Sequence, residues 1–316
     1  MFTVMDAGPC PDPVQSQLAS LSGIGESSFA YAHAISGCQQ GSTSFYVGLG
    51  NWTNTYVHPC YLYIHEYFVS TDTYGPLRGT FDILPTADFS GSQPSVAVTS
   101  TDTGVYVVQY PGVGNEQLVM YSLNTDYGGR AWIWGSSFAQ PALIACKATV
   151  GGGIDAVTGY KGTNGALQAM RRWSNGSAIA QATGSATATG WQTLHIHMDH
   201  VYVYGVANGG ATVFKYDLAT LTEQTNFATP TGAGTIAKLF SHYNNPNIWI
   251  LCTVAGNNNI YERVESAWVL RYTTTGAFPF TTEHLNLSFE GSTLYAFNTG
   301  NGLQEIWKID YLGCSG

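Results

Sequence analysis

Apolar and polar residues alternate with a period of two along most of this chain, in short runs separated by Gly-rich or Asn/Asp-rich turns. That is the pattern of β-strands. The clearest run is Val201-Tyr202-Val203-Tyr204-Gly205, followed by the turn Asn208-Gly209-Gly210 and by Val213-Phe214-Lys215-Tyr216-Asp217-Leu218. The pair recurs as Val105-Tyr106-Val107-Val108 with Leu118-Val119-Met120-Tyr121, and as Leu294-Tyr295-Ala296-Phe297 with Ile306-Trp307-Lys308-Ile309-Asp310. Anchored on Tyr46, Tyr106, Ala156, Tyr202, Trp249 and Tyr295, the intervals are about 60, 50, 46, 47 and 46 residues, the range of a radial array of sheets.

Turn signals divide each repeat into four short strands. The repeats fall at 28–84, 95–138, 142–185, 191–227, 236–281 and 282–312. In the fifth, strands are expected over 236–243, 247–254, 267–274 and briefly 277–281, with 255–266 as an inserted loop. The sixth has strands only over 282–290, 292–299 and 304–312, while a strand-like segment, 2–6, stands at the opposite terminus. Donation of that segment to the sixth repeat would remove the unpaired edges of an open array. Pro9, Pro11 and Pro13 argue against further strands within 8–27.

This organisation resembles the six-bladed β-propeller class over essentially the whole chain, 1–316, and the paired runs look like the blade pattern of quinoprotein-like propellers. The expected fold is all-β: one domain of six four-stranded antiparallel blades, the ring closed by the N-terminal strand. Signatures of particular propeller families (Gly-His…Trp-Asp pairs, regular kelch double glycines, a quinone-binding set) are missing. The resemblance therefore implies architecture and no particular activity.

Composition narrows the partners. A 44% hydrophobic fraction supports a large core, and only 10% of residues are charged. Eleven basic against twenty acidic residues, with no basic run, give a net charge of −9 and argue against nucleic acid. No stretch approaches the ~20 apolar residues of a membrane helix, so no membrane insertion is expected. The segment Met1-Phe2-Thr3-Val4-Met5-Asp6 lacks the basic and apolar regions of a secretory signal. Either a signal has been removed, or the protein reaches its site without one, as virion proteins do.

Six cysteines permit disulfides. If strands run in blade order, Cys10 and Cys60 meet near one face of the ring, and Cys38 and Cys314 near the other. Two such bridges would staple the closure, each contributing about 2–4 kcal/mol. Cys146 and Cys252 fall inside strands and read as buried and inert. The densest ligand-type cluster is His195-Ile196-His197-Met198-Asp199-His200. His195 and His197 share a strand face, a spacing metals can use, but histidines on an innermost strand are expected to line a hydrated channel. No metal or other cofactor is expected. Ser100-Thr101-Asp102-Thr103-Gly104 is similar to a sialidase Asp-box, yet falls at the wrong turn of the repeat. No Ser-nucleophile elbow, phosphate loop or zinc-protease helix is present, and nothing in the sequence pairs Glu66, Asp72, Glu262 or Glu265 with a partner.

Two interruptions of the repeat attract attention instead, at 51–59 and 255–266. Read as long loops, both rise beside the sixth blade on one face, where recognition is usually placed. Trp52, Tyr56, His58, Asn258, Tyr261 and Arg263 there combine aromatic surfaces with hydrogen-bonding groups, a mixture suited to sugars or a protein partner. The expected function is a non-enzymatic propeller module of an extracellular or virion-surface assembly, of the phage tail or head appendage type. Its partners would be other proteins of that assembly and a glycan or protein receptor. The alternatives are a secreted lectin and a carbohydrate-active hydrolase or lyase.

Overall fold

A computed structural model describes residues 11–20, 31–35, 44–50, 60–83, 95–101, 104–110, 117–122, 129–135, 143–148, 154–161, 167–174, 177–182, 191, 193–197, 199, 201–207, 210–242, 245–275, 286–290, 292–298, 305–310 and 312. Every regular element among them is a β-strand, and every pairing between strands is antiparallel.

The strands of the described residues form six four-stranded sheets. β1 (Val14–Ser20) precedes sheet I, which holds β2 (Tyr31–Ile35), β3 (Ser44–Gly50), β4 (Cys60–Phe68) and β5 (Thr73–Ile83). Sheet II holds β6 (Ser95–Thr101), β7 (Gly104–Tyr110), β8 (Gln117–Ser122) and β9 (Gly129–Gly135). Sheet III holds β10 (Leu143–Ala148), β11 (Ile154–Lys161), β12 (Leu167–Ser174) and β13 (Ser177–Ala182). Sheet IV holds β14 (Thr193–Ile196), β15 (Tyr202–Ala207), β16 (Thr212–Asp217) and β17 (Phe227–Ala228). Sheet V holds β18 (Ala233–Ser241), β19 (Ile248–Val254), β20 (Asn257–Val264) and β21 (Ala267–Thr273). Sheet VI is built from both ends of the chain: β22 (Asn286–Glu290), β23 (Thr293–Asn298) and β24 (Glu305–Asp310), with β1 paired on β24.

The repeated apolar runs are the second strands, and their alternation explains why they repeat. In β15, Val203 and Ala207 enter a cluster with Ala145, Val157 and Met170 of sheet III. Tyr204 and Val206 enter another with Ile236, Leu239 and Ile250 of sheet V. In β19, Ile248, Ile250 and Cys252 face sheet IV, whereas Trp249 and Leu251 pack with Leu294, Ala296 and Trp307 of sheet VI. Each strand thus fills two interfaces with successive side chains. A fully buried side chain such as Ile250 contributes about 1.5–3 kcal/mol. First strands also follow one another: β2 lies against β6, β6 against β10, β10 against β14, β14 against β18, β18 against β22, and β22 against β2.

Polar ties join the sheets elsewhere. The Trp268 indole N–H donates to the Ala228 carbonyl at 2.8 Å, linking sheets V and IV. The Gln15 amide of β1 both donates to the Thr275 carbonyl (2.8 Å) and accepts from the Thr275 N–H (2.9 Å), just beyond β21. Asp72, in the turn after β4, accepts the Tyr295 hydroxyl at 3.0 Å and the Lys308 ammonium at 2.6 Å, both from sheet VI. Tyr67 meets Tyr295 edge-on at 5.9 Å.

The chain departs from the sequence expectation in two places that matter. The fourth strand of sheet VI is β1, at 14–20, immediately past the three prolines; residues 2–6 lie outside the described residues. Val14-Gln15-Ser16-Gln17 lacks a buried apolar face, because an outermost strand needs only backbone pairing on one side. In sheet V the supposed insertion at 255–266 is the third strand, β20, and 267–273 is the fourth. Ala255 (φ 50°) and Gly256 (φ 82°) turn the chain with two positive-φ residues, the geometry of a type I′ hairpin. Smaller shifts affect edges only: β17 is two residues long, preceded by a single Tyr216–Glu223 bridge.

Two outcomes follow from this packing. A Cβ on Gly205 would stand 2.5 Å from the ring of Trp191, which is 2% exposed. Gly205→Ala therefore lowers stability by about 1–3 kcal/mol, seen as an earlier urea midpoint; an unchanged midpoint would contradict the packing.

The second concerns alkali. Burial, then the Asp72 charge and hydrogen bond, push the Tyr295 phenol up, and the Asp72 hydrogen bond raises Lys308. Both groups hold their protons to higher pH folded than unfolded, so this stability is complete below the ordinary tyrosine value of about 10 and is lost above it. Unfolding free energy is expected to be flat from about pH 8 to 9 and to fall beyond about pH 10, with a shallower fall in Tyr295→Phe.

Candidate functional site

The hairpin β20–β21 carries three of the residues singled out from the sequence, and it presents them from a rigid strand instead of a loop. Its strand character rests on side-chain pairing that suits asparagine. Thr253 donates to the Asn258 amide oxygen at 3.3 Å, and Thr273 to that of Asn259 at 2.7 Å. Asn258 is thereby held within the sheet. The Tyr261 ring packs at the edge of the core between sheets IV and V. Arg263 stands directly opposite Trp268 across the β20–β21 ladder.

Between this hairpin and β17 lies a recess of about 460 Å³, lined among others by Phe227, Pro230, Tyr261, Arg263, Ser266 and Trp268. Ligand sites span roughly 300–1,000 Å³, so the volume admits a small molecule or a short stretch of polymer. The rings lie in a continuous row. Tyr202 is 6.3 Å from Tyr204, Tyr204 is 6.3 Å from Phe227, and Phe227 is 6.0 Å from Trp268. Two cations lie on ring faces: the Arg263 guanidinium carbon sits 3.9 Å from the Phe227 centroid and 5.6 Å from that of Trp268, and Lys215 Nζ sits 3.5 Å from the centroid of Tyr202. Burial pushes the Tyr204 phenol up, as do the charges of Asp199 and the Tyr202 phenol, while Arg263 pulls it down. The Tyr204 hydroxyl therefore stays protonated across the physiological range.

The other expected site residues separate from this recess. Trp52, Tyr56 and His58 lie outside the described residues. Cys60 opens β4, and its proposed partner Cys10 lies outside the described residues, as do Cys38 and Cys314. Cys252 is fully buried and Cys146 partly so, and burial pushes each thiol up to about 12. His195 Nε2 lies 2.8 Å from the Ser241 hydroxyl, and burial, then the charges of His197 and Lys147, hold His195 well below its ordinary value. His197 is 1% exposed, has Nδ1 3.0 Å from Asp199 Oδ1, and meets the Tyr204 ring edge-on at 5.8 Å. Among the described residues, no three His, Cys, Asp or Glu side chains converge as metal ligands.

Two of the carboxylates that the sequence left without partners are bound into the framework. Glu262, 1% exposed, accepts from Asn245 and from Asn247 (2.8 Å), and pairs with Arg271 at 2.6 Å. Asp72 is held by Lys308 and Tyr295 as described above. Asp155, likewise buried, pairs with Arg172 at 2.9 Å. Phe227, Trp268 and Lys215 were not anticipated from the sequence. Their signal was faint: aromatic and basic residues on outer strands, separated by up to some fifty positions.

No protein-family model matches the chain, and no curated protein matches it. Solved structures resemble it in fold. A luciferin-regenerating enzyme is similar at a TM-score of 0.54 and 13% identity, over 96% of this chain and 97% of that one. A DUF4623 family protein from Bacteroides eggerthii is similar at a TM-score of 0.56 and 14% identity, over 94% and 75%. The BBS1N chain of a complex with ARL6DN gives a TM-score of 0.50 and 13% identity, over 96% of both. At these identities the likeness is one of β-rich fold alone.

The buried Glu262 makes the hairpin's foundation sensitive to its counter-ion. Arg271→Ala leaves that carboxylate with amide donors only and should cost about 3 kcal/mol, the low end for breaking a buried pair. Chemical denaturation measures it, and a loss under about 0.5 kcal/mol, typical of a surface pair, would show the pair to be ornamental.

Proposed function

We propose that the chain is a single six-bladed β-propeller, sealed by the β1–β24 pairing, that works without catalysis as a binding module of an extracellular or virion-surface assembly, and that the recess between sheets IV and V receives a glycan. The six four-stranded sheets and the cyclic order of first-strand neighbours support the propeller reading. The non-catalytic reading is supported by the use of Glu262, Asp72 and Asp155 in ion pairs, which leaves none of these three poised for general acid or base work.

One observation carries the binding reading: the rings of Phe227 and Trp268, 6.0 Å apart, line the recess together with Tyr261. The negative face of an aromatic ring attracts the polarised C–H face of a pyranose. Thr231 and Ser266 add exposed hydroxyls at the rim for hydrogen bonds to sugar hydroxyls. Because the rings stand on paired strands, little conformational freedom is lost when a ligand docks.

The test is a glycan array probed with the purified protein, followed by titration of the best glycan. Trp268→Ala is expected to weaken binding at least tenfold, with no release of cleaved sugar during incubation. Absence of glycan retention would remove the glycan reading. Turnover of the bound sugar would replace it with an enzyme.

A further inference from the structure

Resting on the glycan reading above, we infer that the ligand of this recess is an acidic saccharide, whose carboxylate is bound by Arg263. Three described cations elsewhere in the molecule meet carboxylates: Arg172 meets Asp155 at 2.9 Å, Arg271 meets Glu262 at 2.6 Å, and Lys308 meets Asp72 at 2.6 Å. Arg263 differs. Among the described residues it has neither an ion pair nor a hydrogen bond, although the chain carries twenty acidic residues to eleven basic ones. Its neighbour on β20, Glu262, is committed to Arg271.

Guanidinium chemistry says what is left over. Ring faces satisfy the flat π surface of the group, and Phe227 and Trp268 provide them. They do nothing for the five N–H donors, which lie in the plane and form a fork matched to two carboxylate oxygens. Contact with two ring faces holds the side chain in place before a ligand arrives, so part of the entropy of ordering it is already spent. A charge-assisted, two-pronged contact is roughly twice as strong as a neutral hydrogen bond.

The wider field selects among anions. A net charge of −9 repels multiply charged ligands such as nucleotides and sulfated polymers more than a ligand with one carboxylate per sugar. The aromatic row and rim hydroxyls favour a ring-shaped, hydroxylated carrier over an acidic peptide.

Matched probes test this: trigalacturonate and 3′-sialyllactose, each beside its methyl ester, titrated against the full chain by calorimetry. At least one acid should bind tenfold or more tightly than its ester, with affinity falling as salt rises. Arg263→Met should erase the difference between acid and ester. Arg263→Lys, which keeps the charge and loses the fork, should retain part of the difference, and thermal midpoints of both variants report their folding. Equal binding of acid and ester overturns the carboxylate while sparing the glycan reading. Binding of neither acid, with neutral glycans still retained on the array, does the same. Failure to bind any saccharide overturns both. Tighter capture of oligoglutamate, lost in Arg263→Met, would make the ligand an acidic peptide.

Discussion

Successive side chains of β15 and β19 enter different interfaces, so neither strand has a face to give to water. Tyr204 and Val206 belong to one core and Val203 and Ala207 to another, and the same division separates Ile250 from Trp249. A sheet built on such strands cannot stand alone, since either face would expose a stripe of large apolar groups. It needs a neighbour on each side, and each neighbour has the same need. That requirement fixes the volume available at the interfaces, which is why Gly205 must stay small beneath Trp191. It also leaves the outer strands free of the demand, and aromatic rings such as Phe227 and Trp268 stand half-exposed there.

The same demand determines what could be read in advance. Strands buried on both faces are written in the sequence as dense Val, Tyr, Ile and Trp, and the repeat was visible through them. Outer strands carry no such constraint. β1, with Gln15, Ser16 and Gln17, is polar and follows three prolines, so it read as a linker. β20 begins with three asparagines, residues depleted in strands, after an Ala-Gly turn that lacks the usual Asn-Gly or Asp-Gly signal. Its asparagines are tolerated because Thr253 and Thr273 on flanking strands supply hydrogen-bond donors. Tyr261 and Arg263, expected on a loop, therefore stand on a strand. Phe227 and Trp268, which line the recess beside them, escaped because packing between sheets IV and V joins residues whose proximity no local pattern encodes.

Scarcity of charge gives each ion pair a defined position. With one residue in ten charged, three described carboxylates sit where strands or sheets are held together: Asp155 on Arg172 within sheet III, Glu262 on Arg271 within sheet V, and Asp72 between sheets I and VI. Asp72 holds its place in the left-handed region (φ 49°), a conformation Asp tolerates better than most residues. A side-chain amide, that of Gln15, makes the corresponding link between sheets V and VI, imitating a short piece of strand pairing. Against that economy, the guanidinium of Arg263 rests on aromatic faces.

The pairing of β1 with β24 has a consequence for biosynthesis. β1 leaves the ribosome well before β24, the strand it pairs with, Val14 lying opposite Asp310. Sheets I to V can assemble meanwhile, because their strands are neighbours in sequence, whereas β1 must wait as an unpaired edge. Its glutamines and serine give it little tendency to associate with other apolar segments, and the break in register between Gln17 and Ala19 makes it a poor template for a foreign strand. The plainness of this segment is thus what lets a nascent chain hold β1 in reserve until β24 has emerged.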